Sequence, residues 1–177
     1  MGEAEARSFL EEGEGHLQSG RYEAAERAFT KAVEAAPDSA VAHSKLGVAL
    51  ANQHRYDAAI SHFNQAVALQ PGYAPAYSNM GNAYREKGMS NEAVMAYERA
   101  LAIDPDYWVA HQNLGALYKE MGRMGEAVQH FKKAMRLSAR RTSKPGERER
   151  RVGCLGPTVQ LTLLVMLIAA VTALAIL

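Results

Sequence analysis

The sequence predicts an all-α protein: a right-handed solenoid of helix-turn-helix repeats, followed by a single C-terminal transmembrane helix. Two observations predict this architecture. Glycine, alanine and aromatic residues recur at steps of 34 residues through most of the chain, which is the signature of a repeat array. The last 20 of the 177 residues carry no charge, and 16 of them are apolar, which is the length and composition of a membrane span.

The overall composition excludes several functional classes. The chain has 20 Lys and Arg against 19 Asp and Glu, giving a formal net charge of +1, whereas a nucleic-acid-binding domain carries a clear positive excess. The single cysteine excludes an internal disulfide framework and a cysteine-rich metal site. We therefore expect no nucleic-acid partner.

Each 34-residue unit is predicted to form two helices. In the third unit the first helix is predicted over 76–87, where Gly88 ends it as a C-cap glycine does. The second is predicted over 91–103 and stops before Pro105, because the residue before a proline is pushed out of the α region. One such hairpin cannot bury its apolar face alone, so we expect neighbouring hairpins to stack into a continuous core.

Small residues are predicted where the two helices of a hairpin touch, with Gly81 facing Ala93 in the third unit. The recurring residues are one glycine, two alanines, one aromatic residue and, in three units, a closing proline. They are Gly13, Gly47, Gly81 and Gly115; Ala25, Ala59, Ala93 and Ala127; Ala32, Ala66, Ala100 and Ala134; Phe29, Phe63, Tyr97 and Phe131; and Pro37, Pro71 and Pro105.

This period and these residues resemble the tetratricopeptide repeat (TPR) family. The resemblance covers residues 6–141 and implies four TPR repeats. His54 departs from the pattern, because it replaces a loop glycine, and Ala139 stands where a fourth proline is expected, so the last helix is predicted to run on into the arginines. The predicted domains are an N-terminal tail at 1–5, repeats at 6–39, 40–73, 74–107 and 108–141, a basic juxtamembrane linker at 142–157 and a transmembrane helix at 158–177.

The terminal apolar segment predicts a tail anchor. At 1.5 Å per residue, a helix over 158–177 spans about 30 Å, the thickness of the hydrocarbon core. Between Arg136 and Arg151 there are seven Lys and Arg against two Glu, and basic residues beside a span remain on the cytoplasmic side. The sequence thus predicts a single-pass protein that contacts membrane lipid through its C-terminal helix, with the repeats on the cytoplasmic side.

No residue pattern in the sequence supports catalysis. The chain lacks a phosphate-binding glycine loop, a nucleophile elbow and a zinc-protease motif. The six histidines contain no i,i+3 or i,i+4 pair that would place two ligands on one helical turn. His43 and His111 occupy equivalent positions two repeats apart, too distant to share an ion. We expect no enzyme activity, catalytic residue, cofactor or metal site, and histidines that are structural or at the surface.

The resemblance implies a peptide-binding groove lined by the first helix of each repeat. Asparagine amides in such a groove both donate and accept hydrogen bonds, so they can pair with the backbone of an extended peptide. The residues predicted for this groove are Lys45, Asn79, Asn82, Arg85, Gln112, Asn113 and Lys119.

A second binding mode of the family, a clamp for a C-terminal aspartate, is not predicted. That clamp uses Lys, Asn and Arg side chains at fixed positions of three successive repeats. In the first register these positions hold Leu10, Glu14, Lys45, Pro75 and Asn79, and in the next they hold Ser44, Val48, Asn79, Val109 and Asn113. Neither register supplies the clamp.

The last repeat is predicted to expose apolar residues. The segment after Arg141 has no apolar periodicity and cannot form a covering helix. Met121, Phe131 and Met135 are therefore predicted to form an end interface, which packs against a partner, a second copy or the membrane surface.

Two functions are compatible with these features. The first is a membrane-tethered TPR protein–protein interaction module or scaffold, whose groove binds an extended peptide of a cytosolic partner. The alternative is a tail-anchored, homo-oligomerising factor for membrane assembly or membrane shape, an architecture similar to the mitochondrial fission adaptor family.

Overall fold

A computed structural model describes residues 2–142, and this part of the chain is entirely α-helical apart from short turns. Successive helices pair into four antiparallel hairpins, and residues up to Leu137 form one compact unit. This confirms the predicted all-α solenoid of helix-turn-helix repeats. The helices are α1 (Gly2–Gln18), α2 (Tyr22–Ala35), α3 (Ala40–Asn52), α4 (Tyr56–Leu69), α5 (Ala74–Glu86), α6 (Ser90–Ile103), α7 (Trp108–Glu120) and α8 (Met124–Thr142).

The helix boundaries differ slightly from the predicted ones. In the third repeat α5 starts at Ala74, two residues earlier than predicted, because Pro75 occupies a first-turn position, where its missing N–H costs nothing. The helix ends with Lys87 as C-cap, and Gly88 follows with a φ of +76°. At the other end of the repeat array, α1 already begins at Gly2, so residues 2–5 of the predicted N-terminal tail are helical.

The turn inside each hairpin needs one residue with left-handed backbone geometry. Gly20, Gly88 and Gly122 supply it in three repeats, with φ between 69° and 76°. His54 takes the same conformation in the second repeat, with a φ of 60°, although a side chain makes this region unfavourable. Its Nδ1 lies 2.7 Å from the Tyr56 hydroxyl.

A glycine packed on an aromatic ring forms the centre of each hairpin. A Cβ atom added to Gly81 would lie 2.6 Å from the Tyr97 ring, and Gly13 and Gly47 lie equally close to the rings of Phe29 and Phe63. The glycine is needed because the α5 backbone rests on the Tyr97 ring. In the fourth repeat, a Cβ atom added to Gly115 would also lie 3.2 Å from the carbonyl oxygen of Ala127, the equivalent of Ala93.

The aromatic residue of the last repeat is less buried than its three equivalents. Phe131 is 37 % exposed, whereas Phe29, Phe63 and Tyr97 are fully buried. Within residues 2–142, no further first helix follows α8 to cover this ring. Four apolar side chains at spacings of four, three and four residues thus form an exposed α8 stripe: Met124 (55 % exposed), Val128 (46 %), Phe131 and Met135 (69 %).

The last described residues test one prediction, the extension of α8 into the arginines, and end before the predicted transmembrane helix. Helix α8 continues to Thr142, as the missing fourth proline predicts. None of the helices within residues 2–142 is both long and apolar enough to cross a bilayer. The predicted transmembrane helix at 158–177, and the linker beyond Thr142, lie outside the described residues.

Candidate functional site

The first helices of the repeats lie side by side, since α3 contacts both α1 and α5, and α5 contacts α7. Between α3 and α5 this layer opens into a cavity of about 480 Å³, here called the groove pocket. Apolar and aromatic side chains form much of its wall, together with three asparagines. The lining residues are Tyr22, Val48, Ala51, Asn52, His54, Tyr56, Phe63, Asn79, Asn82, Ala83 and Glu86.

Two asparagines predicted for the groove, Asn79 and Asn82, lie in the wall of the groove pocket. The side-chain oxygen of Asn82 accepts hydrogen bonds from the Tyr97 hydroxyl at 2.6 Å and from Nδ2 of Asn113 at 2.9 Å. Burial raises the pKa of Tyr97, so its hydroxyl keeps the proton that it donates. These bonds engage the Asn82 carbonyl, which leaves the Nδ2 group of Asn82 and the Oδ1 atom of Asn113 for a ligand.

The two basic groove residues on α3 and α5 are both ion-paired with a carboxylate of an adjacent repeat. Lys45 Nζ lies 2.7 Å from a Glu14 oxygen, and the Arg85 guanidinium binds both oxygens of Glu120. The hydrogen bonds from Arg85 hold the pKa of Glu120 below its usual value. Because their charges are compensated, Lys45 and Arg85 do not form a free cationic site.

Five of the predicted groove residues lie outside the lining of the groove pocket: Lys45, Arg85, Gln112, Asn113 and Lys119. Gln112 and Lys119 are exposed on α7, and neither lines the cavity. Conversely, the pocket includes Tyr22 and Tyr56, which begin α2 and α4 and were not predicted. Their separation of 34 residues was a signal in the sequence, but the prediction considered only the first helix of each repeat.

A second polar arrangement, also not predicted, joins the two helices of a hairpin. In the second repeat, Nδ1 of His43 on α3 lies 3.3 Å from Nδ1 of His62 on α4. In the fourth repeat, Nδ1 of His111 on α7 lies 2.9 Å from Nδ1 of His130 on α8. These two sets are called the histidine pairs.

The backbone determines the tautomers of the histidine pairs. Nε2 of His43 lies 3.0 Å from the carbonyl oxygen of Pro37, and Nε2 of His111 lies 3.1 Å from that of Pro105. A carbonyl oxygen only accepts hydrogen bonds, so Nε2 carries the proton and Nδ1 of the same ring keeps its lone pair.

The environment favours the neutral form of three of these rings. Burial lowers the pKa of His62, His111 and His130. The charge of Lys133 lowers the pKa of both histidines in the fourth repeat further, while Glu126 partly offsets this effect at His130. At neutral pH these three histidines are therefore uncharged.

Comparison with known sequence families identifies the repeats. Models described as tetratricopeptide repeat match residues 10–74, 62–95 and 109–141, and one described as TPR repeat matches residues 81–122. The chain belongs to the tetratricopeptide repeat family. Among curated protein sequences, none matches the chain.

Solved structures of TPR proteins share the fold of this chain. A crystal structure of MamA has a TM-score of 0.66 and 31 % identity, covering 78 % of this chain and 81 % of MamA. The first TPR of Spaghetti (RPAP3), bound to the HSP90 peptide SRMEEVD, has a TM-score of 0.63 and 28 % identity, covering 68 % of this chain and 95 % of that domain.

The second TPR domain of human RPAP3 was solved in complex with the HSP70 peptide SGPTIEEVD. It has a TM-score of 0.61 and 26 % identity, covering 66 % of this chain and 98 % of that domain. This chain is thus a TPR protein–protein interaction module whose structural neighbours include domains with bound peptides.

Proposed function

We propose that this TPR protein binds an extended peptide segment of a partner protein in the groove pocket. The observation that carries the proposal is the pocket itself: a cavity of about 480 Å³ lined by apolar and aromatic residues together with the asparagines Asn52, Asn79 and Asn82. Apolar side chains of the peptide would occupy the cavity. The Nδ2 group of Asn82, in the pocket lining, would donate a hydrogen bond to the peptide backbone, and Oδ1 of Asn113, whose amide is bonded to Asn82, would accept one.

The charges around the pocket indicate which class of peptide binds. The RPAP3 domains hold peptides that end in EEVD, but in this chain Lys45 and Arg85 are already paired with carboxylates. Glu86 adds an acidic side chain to the pocket lining. An internal peptide segment without acidic residues therefore fits this groove better than an acidic C-terminus.

A peptide-display selection on the full-length chain tests this proposal. Selected peptides should lose at least about 10-fold in affinity on Asn79→Ala or Asn82→Ala, since a buried hydrogen bond contributes roughly 1 kcal/mol and a lost partner more. Gln112→Ala is the matched control, because Gln112 is a polar residue of the same helix layer outside the pocket.

Two results of this experiment would contradict the proposal. One is that the asparagine variants bind the selected peptides as tightly as the parent chain does. The other is that the peptide SRMEEVD binds the parent chain and competes with the selected peptides, because this would place an acidic C-terminus in the groove.

We also propose that residues 158–177 anchor the protein in a membrane, with the repeats on the cytoplasmic side. The support is the sequence: 20 uncharged residues that follow a stretch with seven Lys and Arg, the arrangement of a span with a cytoplasmic flank. The groove pocket would then present a cytosolic partner at a membrane surface.

The α8 stripe favours a second candidate function, assembly through a second copy of the chain. Its spacing of four, three and four residues is that of a seam between two packed helices. A two-fold axis would bring α8 of one copy onto α8 of another with the same residues on both sides. In that case the protein would act as a tail-anchored, oligomerising assembly factor.

A further inference from the structure

The histidine pairs occur at the same two positions of alternate repeats. The pair His43 and His62 is separated by 19 residues, as is the pair His111 and His130. At the equivalent positions, the first and third repeats hold an aromatic residue and an alanine instead. These alternatives are Phe9 with Ala28, and Tyr77 with Ala96. A large ring beside a small residue therefore suffices for packing, and two rings with facing nitrogens need a further explanation.

The facing nitrogens have the separation of two ligands on one metal ion. Metal–nitrogen bonds of about 2.05 Å place two ligands ~2.9 Å apart at a right angle and ~3.3 Å apart at the tetrahedral angle. The observed Nδ1–Nδ1 distances are 2.9 Å in the fourth repeat and 3.3 Å in the second.

The surroundings also resemble those of a metal-binding histidine. His43 and His111 donate Nε2–H to a backbone carbonyl, which is the usual partner of a ligating imidazole and keeps the Nδ1 lone pair available. In the present arrangement, His62 donates its Nδ1–H to Nδ1 of His43, and His130 donates its Nδ1–H to Nδ1 of His111. His62 and His130 become ligands when the proton moves to their own Nε2, a change of tautomer that needs no net loss of a proton.

We propose that each histidine pair binds one divalent late first-row transition-metal ion through its two Nδ1 atoms. Imidazole nitrogens suit zinc, nickel and copper, and copper(II) binds most tightly in this series. Within residues 2–142, no three His, Cys, Asp or Glu side chains surround a common point. The protein therefore supplies two ligands to each ion, water completes the coordination, and the ion exchanges readily.

The two sites differ in their nearby charges. Lys133 acts on both His111 and His130, with Asp106 as a counter-charge at His111 and Glu126 at His130. In the second repeat, Gln65 takes the position of Lys133, and Glu26, which is paired with Arg55, acts on His62. Removal of the Lys133 charge should therefore tighten cation binding at the site of the fourth repeat.

Titration of the full-length chain with copper(II) at pH 7.5, in a Cys154→Ser background, tests the proposal. Calorimetry should find two ions per chain, and electron spin-echo spectroscopy should detect two imidazoles on each copper. His43→Tyr/His62→Ala gives the second repeat the residues of the third and should remove one of the two sites. His111→Tyr/His130→Ala should remove the other, and both changes together should abolish binding.

Two further variants serve as controls. His16→Ala/His54→Ala removes two histidines outside the pairs and should leave two ions bound, whereas Lys133→Gln should tighten the site of the fourth repeat. The proposal is overturned if the paired substitutions leave the stoichiometry unchanged while circular dichroism shows a folded chain. It is also overturned if the parent chain binds no copper, or if the spectra show fewer than two imidazoles per ion.

Discussion

At the scale of single residues, the contact between a glycine and a ring determines how closely the two helices of a hairpin approach. Gly81 lies against Tyr97, whose ring is fully buried and whose hydroxyl is bonded to Asn82. Gly115 lies against Phe131, which is 37 % exposed. A Cβ atom added to Gly115 would lie 3.0 Å from the Phe131 ring. The space for a side chain at this glycine position is therefore smaller in the third repeat than in the fourth.

We expect Gly81→Ala to destabilise the fold more than Gly115→Ala. The added methyl group overlaps a ring that cannot move in the third repeat, and overpacking of this kind costs typically 1–3 kcal/mol. In the fourth repeat the added Cβ lies farther from the ring, which is partly exposed and can shift, and only the Ala127 carbonyl oxygen at 3.2 Å opposes it from the backbone. Urea unfolding followed by circular dichroism measures both values, and equal losses for the two variants would show that ring mobility is not the deciding factor.

His54 allows a second test at the residue scale. Its φ of 60° is unfavourable by about 1–2 kcal/mol for a residue with a side chain, and its contact with Tyr56 offsets part of this. His54→Gly should raise the free energy of unfolding by about 1 kcal/mol, and the reciprocal change Gly88→His should lower it by a similar amount. Thermal melts of both variants check the sign, and a stabilised Gly88→His chain would contradict the argument.

At the scale of elements, α8 differs from the three other second helices because its outer face carries the α8 stripe. The three predicted interface residues have different environments: Met121 packs beside the buried cluster that contains Leu117 and Tyr118, while Phe131 and Met135 belong to the exposed α8 stripe. A charge at Met121 should therefore unfold the repeat, whereas a charge on the stripe should not.

The double variant Met124→Glu/Val128→Glu should weaken self-association of the full-length chain by about 10-fold or more, because two apolar contacts are lost and like charges face each other across the two-fold axis. Its melting temperature should stay unchanged. Met95→Glu is the control, since Met95 is 70 % exposed on α6. Sedimentation in detergent gives the association constant, and an unchanged constant would exclude the α8 stripe as the contact.

The sequence could predict the repeats because the residues that build them recur at a fixed step. Asn79 and Asn82 were predicted from the groove positions that the resemblance to the TPR family implies, and both line the groove pocket. The histidine pairs were not predicted because their members lie 19 residues apart on different helices, whereas two metal ligands on one helical turn are recognised by a spacing of three or four residues. The pairing of Lys45 with Glu14 depends on side-chain directions in two adjacent repeats, and no spacing rule encodes these.

At the scale of the whole molecule, the decisive question is the proposed membrane anchor. Full-length protein should stay in the membrane pellet after alkaline carbonate extraction, because the uncharged segment at 158–177 has the length of a bilayer span. A chain truncated to residues 1–152 should remain in the supernatant. Release of the full-length protein by carbonate would contradict the anchor, and protection of the repeats from protease in sealed vesicles would contradict the cytoplasmic orientation.

The uncovered face of α8 also determines how the molecule would respond to mechanical load. A repeat in an array is held by its neighbours, and within residues 2–142 the fourth repeat has a neighbour on one side only. A pull from the C-terminal side therefore detaches this repeat first and releases up to about 110 Å of extended chain for its 34 residues. The groove pocket is built from α2 to α5, so the chain can lengthen under load while the pocket keeps its shape.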